Sequence, residues 1–161
     1  RKQHPVLFRR YQFHTGGSSM NTFLPYTHTV QYYETDKMGI THHSNYIRWM
    51  EEARIDFLAQ MGWDYVNLES LGIVSPVTAV ECKYMVSTTF AEKITITVSI
   101  EEFKGVRLTL AYTMKNTEGQ TVCQAHSEHC FLDASGKLIR LKKEYPDFYD
   151  TLTKYAGSNP A

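Results

Sequence analysis

The sequence predicts an α+β fold, an antiparallel sheet of about five strands wrapped around one long helix, and three observations predict it. A single stretch from about Asn45 to Met61 repeats its apolar residues at three and four, the period of a helix with one buried face. From Ile73 the period changes to two, as in strands with one face on a core. Short turns rather than further helices join these later runs, which favours antiparallel neighbours packed on one helical layer.

The first strand is expected over Tyr26 to Tyr33, rich in Thr, Val and Tyr. Loop chemistry follows, with Gly39 the one residue there free to take positive φ without penalty. In the helix, Tyr46, Trp49, Met50, Ala53, Phe57, Leu58 and Met61 form the apolar face and leave Arg48, Glu52, Asp56 and Gln60 toward water. Ser44 or Asn45 can supply the N-cap oxygen, and Gly62 suits the position just past the C-cap. Trp63 to Leu71 can add a short helical turn. Val80, Cys82, Tyr84 and Val86 share one face of the next strand, with Pro76 near its start. Ile94, Ile96, Val98 and Ile100 then alternate with polar residues. Lys104-Gly105 turns into Val106, Leu108, Leu110, Tyr112 and Met114. Asn116 to Gly119 turns into a last long strand from Thr121 to about Leu132. A short helix is expected after Pro146.

With 161 residues and 42% hydrophobic side chains, the chain can bury a sizeable core. Seventeen basic side chains balance seventeen acidic ones, so the basic excess of a nucleic-acid surface is missing. No apolar run approaches the roughly 18 residues of a membrane span. Cys82, Cys123 and Cys130 are odd in number, lack a C-x-x-C pair and fall in strand-like segments. Buried reduced thiols are the expectation, consistent with a cytoplasmic protein. Residues 1–19 stand apart: Arg1, Lys2, Arg9 and Arg10 meet no acid, and Gly16-Gly17-Ser18-Ser19 reads as a linker. A targeting peptide is one reading. The preferred one is an appended or disordered tail ahead of a natural start at Met20, with residues 20–161 forming a single domain.

The chemistry concentrates in Tyr33-Glu34-Thr35-Asp36-Lys37-Met38-Gly39-Ile40-Thr41-His42-His43-Ser44-Asn45-Tyr46. A carboxylate, a glycine and an imidazole precede a helix N-terminus, where unpaired N–H groups and a positive dipole end are found. That environment stabilises a carbonyl oxygen turning negative during acyl transfer. Asp36 can activate water or attack an acyl carbon; an Asp before Gly also commonly fixes a turn. His43 can orient water or carry a proton to a departing thiolate, and spacing alone does not choose between it and His42. His126, His129 and Cys130 invite a metal reading, but residues 126 and 129 of one strand face opposite ways and no second ligand cluster exists. No metal is expected. Glu51-Glu52 lies within reach of Arg48 and Arg54, which favours a structural role for that pair.

The spacing D-x2-G-x3-H-x2-Y, with Glu51-Glu52-Ala53-Arg54 downstream, resembles the hotdog-fold acyl-CoA thioesterases. Within them the chain is similar to the 4-hydroxybenzoyl-CoA thioesterase branch, most of all its Tol-Pal-associated type, over about Tyr26 to Asp133. The resemblance implies an acyl-CoA thioesterase with Asp36 as general base or nucleophile and His43 as its helper. Asn45 and Tyr46 would bind substrate through backbone N–H groups. It implies no cofactor, an acyl-CoA partner, and a homodimer or homotetramer with the active site where protomers meet. Lys37-Met38 and Thr41 depart from the family pattern, which puts the acyl group in doubt. Lys83, Lys104, Arg107, Lys142 and Lys143 are available for coenzyme A phosphates. An acyl-carrier-protein thioesterase and a non-catalytic acyl-CoA-binding module are the alternatives. Dehydratase or hydratase chemistry lacks its signature.

Overall fold

A computed structural model describes residues 23–156; the expected tail over 1–19 and domain start at Met20 lie outside the described residues. Five strands form one antiparallel sheet: β1 (Tyr26–Thr29), β2 (Val77–Tyr84), β3 (Lys93–Phe103), β4 (Leu108–Lys115) and β5 (Thr121–His129). Their order is β1-β3-β4-β5-β2. The long helix α1 (Ser44–Gln60) lies between β1 and β2 in sequence, followed by the short α2 (Tyr65–Ser70). At the C-terminal end come α3 (Leu141–Glu144) and α4 (Pro146–Ala156).

The core follows the two periodicities. Ile94, Ile96, Val98 and Ile100 of β3 and Leu108, Leu110, Tyr112 and Met114 of β4 are buried, and the cross-strand register pairs them directly, Ile96 with Met114 and Val98 with Tyr112. Tyr46, Trp49, Met50, Ala53, Phe57 and Leu58 of α1 complete the layer. Each such side chain contributes roughly 1.5–3 kcal/mol by leaving water. Gly62 takes φ +88° just past the helix, as its position requires. Phe148 and Leu152 of α4 are fully buried, Phe148 against Trp63 and Phe131.

The structure differs from expectation at several points. β1 stops at Thr29 and the chain winds into a short 3-10 turn at Tyr32–Glu34. The Glu34 carboxylate stabilises that turn by accepting from the Gln31 N–H (2.8 Å) and, on its other oxygen, from Trp49 Nε1 (2.6 Å). The N-cap of α1 is His43, without a side-chain cap; neither Ser44 nor Asn45 serves. Ser44 Oγ instead contacts His42 Nδ1 (2.7 Å). Glu52 is half-buried rather than solvated, accepting from Tyr26 Oη and meeting His28 Nδ1. β5 ends at His129, and Leu132 makes isolated bridges to Val74 and Leu138. Val106 stays in the turn before β4 and is exposed. Among the described residues no helix is long and apolar enough to cross a membrane.

Candidate active site

The loop between the 3-10 turn and α1 is closed by its own backbone. Asp36 N–H donates to Ile40 O (2.9 Å), Gly39 N–H donates to Asp36 O (2.9 Å), and Thr35 bridges Thr41. Gly39 sits at φ +76° with nothing within 4 Å of where a Cβ would stand. Conformation rather than space therefore requires glycine there. Two anchors hold the loop to the body. Glu34 O accepts from His42 N–H (2.8 Å). Thr41 N–H donates to Thr88 O (2.8 Å), and the two threonine hydroxyls meet at 2.6 Å. Thr88, fully buried in the segment after β2, also contacts Tyr46 Oη (2.9 Å). One buried hydroxyl thus ties the loop to the first turn of α1.

A cleft of about 300 Å³ opens beside this knot. Asp36, His43 and Tyr46 line it together with Met38, Thr41 and Tyr84. Asp36 Oδ1 accepts from Met38 N–H (2.7 Å), the turn-fixing bond open to an Asp at this place. Its Oδ2 takes no hydrogen bond among the described residues. The carboxylate is thus positioned through one oxygen on the wall of the cleft. His43 is exposed, and its ring lies 4.2 Å from that of His42, centroid to centroid.

The first turn of α1 supplies the donors. Asn45 N–H is engaged by His42 O at 3.0 Å, so this member of the expected pair has its N–H committed; its side chain bonds Glu34 O and His42 O. Tyr46 N–H reaches only His43 O at 3.4 Å, beyond ordinary hydrogen-bond length. It is the least engaged donor at the positive end of a seventeen-residue helix. The Tyr46 ring is core, 4.5 Å from Trp49, and burial foremost raises its hydroxyl above the ordinary range.

Tyr84, at the end of β2, and Thr88 were not among the residues that sequence reasoning placed here. They arrive from about forty residues downstream, so no local spacing pointed to them. Met38 and Thr41, two of the departures from the family pattern, do line the cleft, whereas Lys37 is not among its walls. Of the cations available for phosphates, Lys104 pairs with Glu102 and Arg107 with Glu128. Lys142 lies over the Tyr149 ring. The Glu51-Glu52 pair divides: Glu51 reaches Arg54 at 3.9 Å while Glu52 turns to His28 and Tyr26. Among the described residues no three His, Cys, Asp or Glu side chains converge as metal ligands.

Comparison with known proteins places this geometry. Residues 30–151 match the thioesterase-like superfamily. YneP of Bacillus subtilis, provisionally named an acyl-CoA thioesterase, is 32% identical over 126 residues, 78% of this chain and 91% of that protein. A 1,4-dihydroxy-2-naphthoyl-CoA hydrolase of Thermosynechococcus vestitus is 29% identical over 66% of this chain and 74% of that protein. The crystal structure of a DHNA-CoA thioesterase from Staphylococcus aureus superposes with a TM-score of 0.78 at 31% identity, covering 81% of this chain and 89% of that one. Five antiparallel strands around a central helix, in a chain of this similarity, make the fold a hotdog. The chain belongs to the thioesterase-like superfamily of hotdog-fold thioester hydrolases.

Proposed function

We propose that this protein hydrolyses acyl-CoA thioesters to a free acid and coenzyme A, with Asp36 as the general base or nucleophile. The observation that carries the reading is the uncommitted Asp36 Oδ2 on the wall of a cleft shared with the Tyr46 N–H at the helix tip. In the water route, Asp36 takes a proton from water as its oxygen bonds to the acyl carbon. The carbonyl π electrons move onto oxygen, where the Tyr46 N–H and the helix dipole stabilise the negative charge. The carbonyl reforms as the C–S bond breaks, and the thiolate leaves and takes up a proton. His43, exposed at the cleft, is placed to orient the water or to supply that proton. In the direct route the same Oδ2 bonds to the acyl carbon and the C–S bond breaks to release the coenzyme A thiolate, after which water cleaves the resulting anhydride.

The acyl group would lie against Met38, Ile40, Met85 and Val86, which are apolar walls of the cleft. We also propose a homodimer or homotetramer. β2 is a sheet edge, exposes Val77, Val80 and Tyr84, and ends at the cleft, so a protomer paired there would complete the pocket. The three free thiols support a reducing, cytoplasmic setting.

Thiol release from short, long and aromatic acyl-CoAs tests the reading. Turnover of at least one of them is expected. Faster release from acyl-carrier proteins would move the substrate to that carrier. Tight acyl-CoA binding without any release would favour a non-catalytic binding module.

A further inference from the structure

Building on that reading, we propose that Tyr84 is a positioning residue for the oxyanion donor: its hydroxyl takes the His43 carbonyl at close range and so leaves the Tyr46 N–H only weakly held and able to turn to the reacting thioester oxygen.

A carbonyl oxygen offers two lone pairs. The Tyr46 N–H reaches the His43 carbonyl only at 3.4 Å. Tyr84 Oη donates to the same oxygen at 2.9 Å. The tyrosine hydroxyl is thus the nearer of the two donors to this oxygen, and the Tyr46 N–H is left with the longer bond. Without the tyrosine hydroxyl, that oxygen is open to a tightened i to i−3 bond from Tyr46, of the kind common in the first turn of a helix. The other two donors of this turn have partners already. Ser44 N–H points at His42 Nδ1 (3.3 Å) and Asn45 N–H at His42 O (3.0 Å). Tyr46 holds the longest bond of the three, and Tyr84 determines whether it stays so.

Tyr84 is suited to the task. Its ring meets that of Tyr46 edge-on at 5.0 Å, which fixes its direction. Burial foremost, with Cys82 beside it, pushes its hydroxyl up to about 12, so it remains a donor at working pH. It comes from β2, a different element from α1, so strand position is transmitted to the helix tip.

The experiment compares wild type with Tyr84→Phe in turnover and in binding of two coenzyme A analogues. One is a thioether with no carbonyl; the other is a trifluoromethyl ketone, whose hydrate places oxygen where the oxyanion forms. Tyr84→Phe should lower kcat about tenfold, a fraction of what loss of a whole oxyanion donor costs, with KM within about twofold. The ketone should weaken by the same factor and the thioether not at all, because only the transition-state interaction is lost. A kcat equal to wild type, or equal weakening of both analogues, overturns the assignment of Tyr84 alone. A wild type that releases no thiol from any acyl-CoA overturns the hydrolase reading and this assignment with it.

Discussion

Two polar clusters sit against the same helix, and they are built in opposite ways. Near the middle of α1, Arg54 is buried and donates to Tyr112 Oη (3.3 Å) and Tyr65 Oη (3.4 Å). Tyr112 Oη meets Ser127 Oγ (2.7 Å), which meets His129 Nε2 (2.7 Å). The chain of contacts is sealed, with Ser127 and His129 almost fully buried, and it ends at His129 Nδ1, which finds no hydrogen-bond partner among the described residues. At the N-terminal end of α1, the Thr41, Thr88 and Tyr46 hydroxyls also meet one another, but here the cluster borders an open cleft, where Asp36 Oδ2 takes no hydrogen bond among the described residues and the Tyr46 N–H reaches His43 O only at 3.4 Å. Matched polar groups in a core stabilise or specify the fold. Unmatched ones held rigidly at a cleft are available for chemistry. The difference predicts that damage to the sealed cluster is read in stability and damage to the open one in turnover.

The largest effect should come from acid. Burial foremost, then the Arg54 charge, lowers His129 from 6.5 to about 4. Its folded pKa lies below its unfolded one, so the unfolded chain gains a proton first as pH falls. Stability is full above pH 6.5 and declines down to about pH 4, by about 3 kcal/mol in all. Glu34 extends the loss at the acid end. Burial raises its pKa, but hydrogen bonds from Gln31, His28 and Trp49 outweigh that and hold it low, so its contribution also fades as pH drops. Urea titrations across this range should show the slope, and His129→Gln should flatten it. An unchanged slope in the variant would mean His129 is not the group responsible.

Next is Ser127→Ala, which strands His129 Nε2 and leaves Tyr112 Oη with Arg54 alone. A loss of about 2 kcal/mol is expected in denaturant unfolding, with kcat of the folded protein unaltered. In the open cluster, His43→Ala should cost about tenfold in turnover, less than the hundredfold or more of a full acid–base group, and reshape the pH–rate profile. An identical profile would assign the role to His42 or to no histidine. Smallest is Gly39→Ala. At φ +76° with free space around it, only backbone strain of about 1 kcal/mol is added. Because that strain falls on the Asp36 loop, turnover should drop more than melting temperature does.

Much of this was legible in the sequence because it depends on short-range pattern. The alternation of Ile94 to Ile100 and the three-four spacing of Tyr46 to Leu58 specify which faces are buried, and those faces are buried. The spacing from Asp36 to Tyr46 brings Asp36, His43 and Tyr46 to one cleft because a tight loop and one helical turn leave little choice. What was not legible depends on contacts distant along the chain. Arg54 reads as a salt-bridge partner of Glu51-Glu52 until Tyr112 and Tyr65 are seen around it. Glu52 reads as surface until β1 brings His28 and Tyr26 against it. The N-cap was misassigned for a local reason: Ser44 and Asn45 have capping side chains, but His42 and Glu34 recruit both. Tyr84 and Thr88 carry no signature that marks them as neighbours of the helix tip.

The central claim is that Asp36 performs chemistry rather than merely fixing its turn. Asp36→Asn separates the two roles, because the amide oxygen can still accept from Met38 N–H while the charge and basicity are gone. Thiol release under single-turnover conditions is the measurement, on whichever acyl-CoA the wild type cleaves best. The account predicts a rate at least about a hundredfold lower, with substrate affinity and melting temperature as in wild type. Release at the wild-type rate would contradict it.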